Sequence, residues 1–234
     1  MLFTAIEQIA NSPVEGFITL GGFIIAFLVG LTFHEFSHAL LASGLGDDTA
    51  RRQGRVSLNP SVHLDPLGTL LLLIAGFGWA KPTPVNPALM RVNERTGMAL
   101  TALAGPVSNI IVAFLAAVAL RVTQGGTEAV GFLAYSRLLY NPLEYVLGAI
   151  VFWNLLLAAF NLLPIAPLDG FKVALRLLPQ QLADSFARLE RYGLMILLGL
   201  VMLDFLLPGP GILGSVIRPI MNGLGRIVAG GDVL

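Results

Sequence analysis

The sequence predicts an all-α polytopic membrane protein, and three observations carry that expectation. Hydrophobic residues make up 56% of the 234 and charged residues only 12%, against about 25% in soluble domains. Mean hydropathy is +0.80. Several runs almost free of charge approach the roughly 20 residues that cross a bilayer core as a helix. A soluble chain of this length has too little interior to hide so much apolar surface, so lipid is its natural solvent. Basic and acidic side chains balance at 14 each with no basic tract, which gives no reason to expect a nucleic-acid partner. Cysteine is absent, so any metal must be held by His, Asp or Glu.

Residues 1–15 hold Glu7 and Glu15 and neither Lys nor Arg, so a cleavable signal peptide is not expected. Residues 16–45 are the first predicted membrane helix. Segment 67–80, LGTLLLLIAGFGWA, is apolar but short. It lies between Asp65-Pro66 and Lys81-Pro82 and is broken by Gly76-Phe77-Gly78, so a re-entrant β-hairpin or loop is expected. Non-helical backbone at membrane depth must be covered by protein or line a cavity. Helices over 97–120 and 143–163 follow, and Pro164 ends the second. A shorter helix over 192–207 carries Asp204, and the tail 211–229, with Arg218 and Arg226, is expected as a further span or an interfacial helix. The whole chain, 1–234, reads as one membrane-embedded domain. No internal repeat supports an inverted-repeat transporter.

Lys and Arg orient the chain. With the N-terminus outside, ten of the 14 basic residues fall in the two inner loops, Arg51 to Arg95 and Lys172 to Arg191, and four outside. The excess of positive charge on the cytoplasmic side selects that topology. It also puts the C-terminal ends of segments 16–45 and 143–163 on the same, cytoplasmic side.

The chemistry is concentrated in LTFHEFSHALLASGLG, residues 31–46. His34 and His38 are four apart and share a helix face, so both imidazoles can grip one ion, with Glu35 beside them. Zinc held this way lowers the pKa of its water towards about 7, and a glutamate can take the proton as general base. Burying three such groups in an apolar helix without a cation is costly. A third protein ligand is needed, and His63 and Asp169 are the candidates. The predicted topology brings Asp169 level with the histidines, and its charge suits a low dielectric. Alternatively, Asp169 only caps the helix that follows it. His63 lies in a polar loop and reads as structural, and Arg51, Arg52 and Arg55 as topology determinants.

FHEFSHAL together with NLLPIAPLDG, AGPVSN at 104–109 and GFGWAKPTPVNP at 76–87 resembles the site-2 protease family, zinc metalloproteases that cut within membranes. The resemblance covers about residues 30–178. It implies a core of three transmembrane helices, one Zn²⁺ per chain held by His34, His38 and Asp169, and Glu35 as the base. It implies a substrate that is the transmembrane segment of another protein, expected to be single-pass, within the lipid bilayer. Asn161 is expected to hydrogen-bond a substrate backbone or oxyanion, with Asn109 as a weaker candidate for the same task. Gly76, Phe77 and Gly78 are expected to offer a strand edge to an unwound substrate. No loop is long enough for an inserted PDZ domain.

Overall fold

The computed structural model describes residues 9–75, 78–123, 141–206 and 211–234. Its helices run in the order α1 (Pro13–Gly44), α2 (Thr49–Arg52), α3 (Pro66–Ala75), α4 (Glu94–Thr123), α5 (Pro142–Asn161), α6 (Asp169–Leu177), α7 (Gln180–Ala187), α8 (Gly193–Leu206) and α9 (Gly211–Val228). Among the described residues, α1, α4 and α5 are the three helices long and apolar enough to cross a membrane. These three pack pairwise on one another, α6 packs on α4, and α9 packs on α8 and α5. Small residues line the contacts: Ala113, Ala117, Ala149 and Ala159 are fully buried beside Leu120, Leu155 and Tyr145. Small side chains let helices approach closely where lipid offers no hydrophobic drive. α8 spans 14 residues, about 21 Å, which is less than the bilayer core.

Segment 67–80 departs from expectation. Residues 66–75 form α3, not a hairpin strand. Asp65 explains the difference: its carboxylate accepts from Gly68 N (2.8 Å), its carbonyl accepts from Thr69 Oγ1 (2.7 Å), and Pro66 is suited to a first helical turn. Among the described residues, the extended character here is one antiparallel bridge, Leu64 with Ala80, and the Lys81 N to His63 O bond (2.8 Å). Gly68 lies against the backbone of Trp79, and Gly78 against that of Gly68, so side chains on either glycine would collide. Gly76 and Phe77 lie outside the described residues.

Arg55 is more than a topology determinant. It is 3% exposed, and its guanidinium donates to the carbonyls of Val62, Lys81 and Pro82. His63 is wholly buried and its Nε2 meets Ser57 O at 2.8 Å, a structural position. Asp47 ties the same region together: it accepts from Thr49 N (3.0 Å), Thr49 Oγ1 (2.5 Å) and Asn86 N (2.6 Å). Burial pushes its carboxyl up, but the bonds from Thr49 and Asn86 outweigh that and hold it below the ordinary range. A depressed carboxyl stabilises the fold above its unfolded pKa and ceases to as pH falls through the folded one. Thermal unfolding in detergent should therefore show stability lost progressively below about pH 4. Asp47→Asn should unfold at lower temperature at pH 7 and show a flatter acid limb.

Candidate active site

The site is built where α1 and α4 run antiparallel with matching four-residue registers. Along α1, Gly30, His34 and His38 recur at one helical spacing; along α4, Asn109, Gly105 and Thr101 descend to meet them. His38 Nδ1 donates to Thr101 O at 2.7 Å and His34 Nδ1 to Asn109 Oδ1 at 2.7 Å. Gly105 lies between, directly under both imidazoles: a Cβ there would stand 2.5 Å from His38 Nε2 and 2.6 Å from His34 Nε2. Pro106 removes the ordinary helical donor of the Ala102 carbonyl, loosening α4 one turn from that contact.

Asp169 arrives from the far side. The turn 162–168 after α5 carries Leu168 as the N-cap of α6, so Asp169 is the first helical residue rather than the cap. Its Oδ2 lies 3.1 Å from His34 Nε2 and 3.1 Å from His38 Nε2. The other oxygen, Oδ1, faces Lys172 Nζ at 3.8 Å. His34, Glu35, His38 and Asp169 are all buried. The C-terminal end of α1 and the segment following α5 thus meet at this cluster.

The hydrogen bonds decide what the cluster can do. A backbone carbonyl only accepts, so His38 Nδ1 carries the proton. Asn109 spends both amide hydrogens on Gly30 O (2.9 Å) and Asn154 Oδ1 (2.8 Å), so its Oδ1 accepts and His34 Nδ1 is also protonated. In the neutral rings both Nε2 atoms are then lone pairs facing a carboxylate oxygen. Three electron-rich atoms this close favour a positive charge among them, whether a proton on a ring nitrogen or a metal ion. Ligand atoms about 2.0–2.1 Å from a tetrahedral zinc lie about 3.3 Å apart, close to the separations here. Two imidazoles and a carboxylate without thiolate suit zinc, so the residues present fit that ion.

Glu35 sits beside this point, with a carboxylate oxygen and a ring nitrogen of each histidine all within 4.8 Å of one another, and its Oε2 accepts from Thr83 Oγ1 at 2.7 Å. His34, Glu35, His38 and Asp169 line one wall of a cavity of about 600 Å³, with Gly78 and Asn161 also on its surface. Asn161 donates to Leu157 O (3.0 Å). Asn109 differs from expectation: it is fully buried with its amide wholly committed, and it backs His34 instead of facing the cavity. Sequence reasoning passed over Thr83 and Asn154. Asn154 carried a usable signal, an amide in the middle of an otherwise apolar helix. Thr83, in a proline-rich loop, carried none.

Fold and site together define a class: a polytopic helical membrane protein with a buried His-His-carboxylate centre beside a glutamate. Comparison with known proteins makes the family plain. The model of peptidase family M50 matches residues 22–203. A Bacillus subtilis protein named "Putative zinc metalloprotease YwhC" is 40% identical over 201 residues, covering 85% of each chain. "Putative zinc metalloprotease Rip2" of Mycobacterium tuberculosis H37Rv is 30% identical, covering 83% of this chain and 73% of that one. The Mycolicibacterium smegmatis protein of the same name is 25% identical over 84% of this chain and 74% of its own. No solved structure matches the chain significantly. The chain belongs to peptidase family M50, the site-2 protease family that its motifs resemble.

Proposed function

We propose that this chain is an intramembrane zinc endopeptidase that hydrolyses peptide bonds within or near transmembrane segments of other membrane proteins. The observation that carries the reading is the convergence of His34 Nε2, His38 Nε2 and Asp169 Oδ2, each imidazole 3.1 Å from the same carboxylate oxygen, beside Glu35. Those three side chains would hold one Zn²⁺. When bound, the ion supplies a Lewis acid that acidifies water and polarises a carbonyl.

The remaining work falls to the chain's own residues. Glu35 accepts a proton from the attacking water and returns it to the leaving amine. Thr83 holds one oxygen of that carboxylate and leaves the other for the proton. Asn161 and Gly78 lie on the cavity surface, which supports a role for Asn161 in meeting substrate backbone and for Gly78 in letting an unwound strand lie close. The distribution of Lys and Arg supports an N-terminus outside and an active site towards the cytoplasm, and the bacterial origin of its relatives supports a bacterial plasma membrane as the setting.

The test uses full-length protein in detergent or proteoliposomes with candidate single-pass substrates. About one zinc per chain, cleavage inside the substrate's apolar segment, loss with a chelator and recovery with added zinc are the expected results. Stoichiometric zinc with no cleavage of any membrane segment would instead leave a metal-binding membrane protein that does not hydrolyse. Thr83→Val should lower kcat at least about tenfold, the scale of one hydrogen bond to a charged group, with KM and zinc content unchanged. Thr83→Ser should restore it.

A further inference from the structure

Asn154 touches neither the cavity nor the converging ligand atoms, yet it is wholly buried in the middle of α5. Its own amide is oriented by the bond from Nδ2 to Ile150 O (2.8 Å), which turns Oδ1 towards Asn109. There it accepts from Asn109 Nδ2 (2.8 Å), and Asn109 Oδ1 in turn accepts from His34 Nδ1 (2.7 Å). Gly30 makes the approach possible: it offers its carbonyl to the second Asn109 hydrogen at 2.9 Å, and a Cβ there would stand 3.1 Å from Asn154 Oδ1. Gly30 O is also the helical acceptor for His34 N, so Asn154 Oδ1 is the acceptor in this set with no other task.

We infer that Asn154 is a positioning residue for the metal centre, setting the tautomer of His34 through the orientation of the Asn109 amide. An asparagine amide can sit either way round in the same shape, and only its partners choose between O and NH₂. With Asn154 Oδ1 in place, the NH₂ end faces α5 and the oxygen faces His34. His34 is then protonated on Nδ1 and presents a bare Nε2 to the site. Without that acceptor, only Gly30 O holds the amide, and the turned-over orientation that aims an N–H at His34 Nδ1 becomes accessible. The ring proton moves to Nε2, where Asp169 Oδ2 is ready to accept it, and the lone pair that would bind metal is taken. His38 has no such freedom, because Thr101 O cannot turn into a donor. The device is directional: two neutral amides one layer behind the ligand bias one imidazole and leave its neighbour alone.

This inference rests on the reading of His34 as a metal ligand. The experiment measures zinc affinity by chelator competition on full-length protein, and imidazole tautomers by ¹⁵N NMR of the histidine-labelled apoprotein. Only three histidines are present, so their signals can be assigned by substitution. In the wild-type apoprotein, neutral His34 should be protonated on Nδ1; an Nε2-protonated His34 overturns the inference with no variant needed. Asn154→Leu should weaken zinc about tenfold, the lower end for groups behind a metal ligand, and move His34 alone to the other tautomer. Asn154→Asp, which keeps the acceptor, should restore both. In an Asn109→Leu background, Asn154→Leu should weaken zinc no further. Unchanged affinity in Asn154→Leu, or a loss that disturbs His38 equally or persists beside Asn109→Leu, refutes the inference. Wild-type protein that takes up no zinc refutes the ligand reading instead.

Discussion

Glu35→Gln should abolish most proteolysis while leaving the metal in place. Glutamine keeps the shape of the side chain, and its oxygen can still accept from Thr83 Oγ1, which meets Glu35 Oε2 at 2.7 Å. What it loses is the ability to take a proton from water, and general-base catalysis is worth about 10²–10⁴ in rate. Cleavage of a membrane substrate should therefore fall by about that factor, with zinc still near one per chain and the unfolding temperature little changed. Turnover close to wild type in Glu35→Gln would remove the glutamate from the mechanism. Loss of zinc along with activity would make it a ligand rather than the base.

Gly105→Ala should do the opposite, emptying the site while sparing the base. The added methyl would press on His38 Nε2 from 2.5 Å and on His34 Nε2 from 2.6 Å, the two atoms that face Asp169. Neither ring can swing aside freely, since Thr101 O holds one and Asn109 Oδ1 the other, each at 2.7 Å. Overpacking of this kind costs about 1–3 kcal/mol, which corresponds to about 5- to 150-fold in zinc affinity if it falls on the bound state. Chelator competition reads that shift directly, and activity should recover in part with excess zinc. Unaltered affinity would mean that α4 gives way and that the glycine is only a packing residue. Together the two variants separate chemistry from metal retention, one keeping the ion without the base and the other the reverse.

These outcomes draw unequally on sequence and structure. His34, Glu35 and His38 were legible because local spacing on a helix decides which side chains share a face. Asp169 was within reach because Lys and Arg counts place both helix ends on one side of a bilayer. The long spans were legible because hydropathy over about 20 residues is a local property set by lipid. By contrast, α3 was misjudged: glycines and prolines after residue 75 suggested broken backbone, while the turn initiated by Asp65 and Pro66 makes a helix of residues 66–75.

What the sequence determined by itself is therefore the solvent, the three spans, the chemical type of the centre and most of its candidate ligands. Only the tertiary structure decided which groups stand behind and beside them. Gly105 under the imidazoles, Thr83 on Glu35, Asn154 behind Asn109 and the buried Arg55 depend on contacts between segments far apart in the chain. The reason is physical. In a low-dielectric interior every polar group needs a partner, but a sequence pattern announces the need and not the partner. The antiparallel register of α1 against α4, with α5 closing the third side, matches each amide, carbonyl and ring nitrogen to the other.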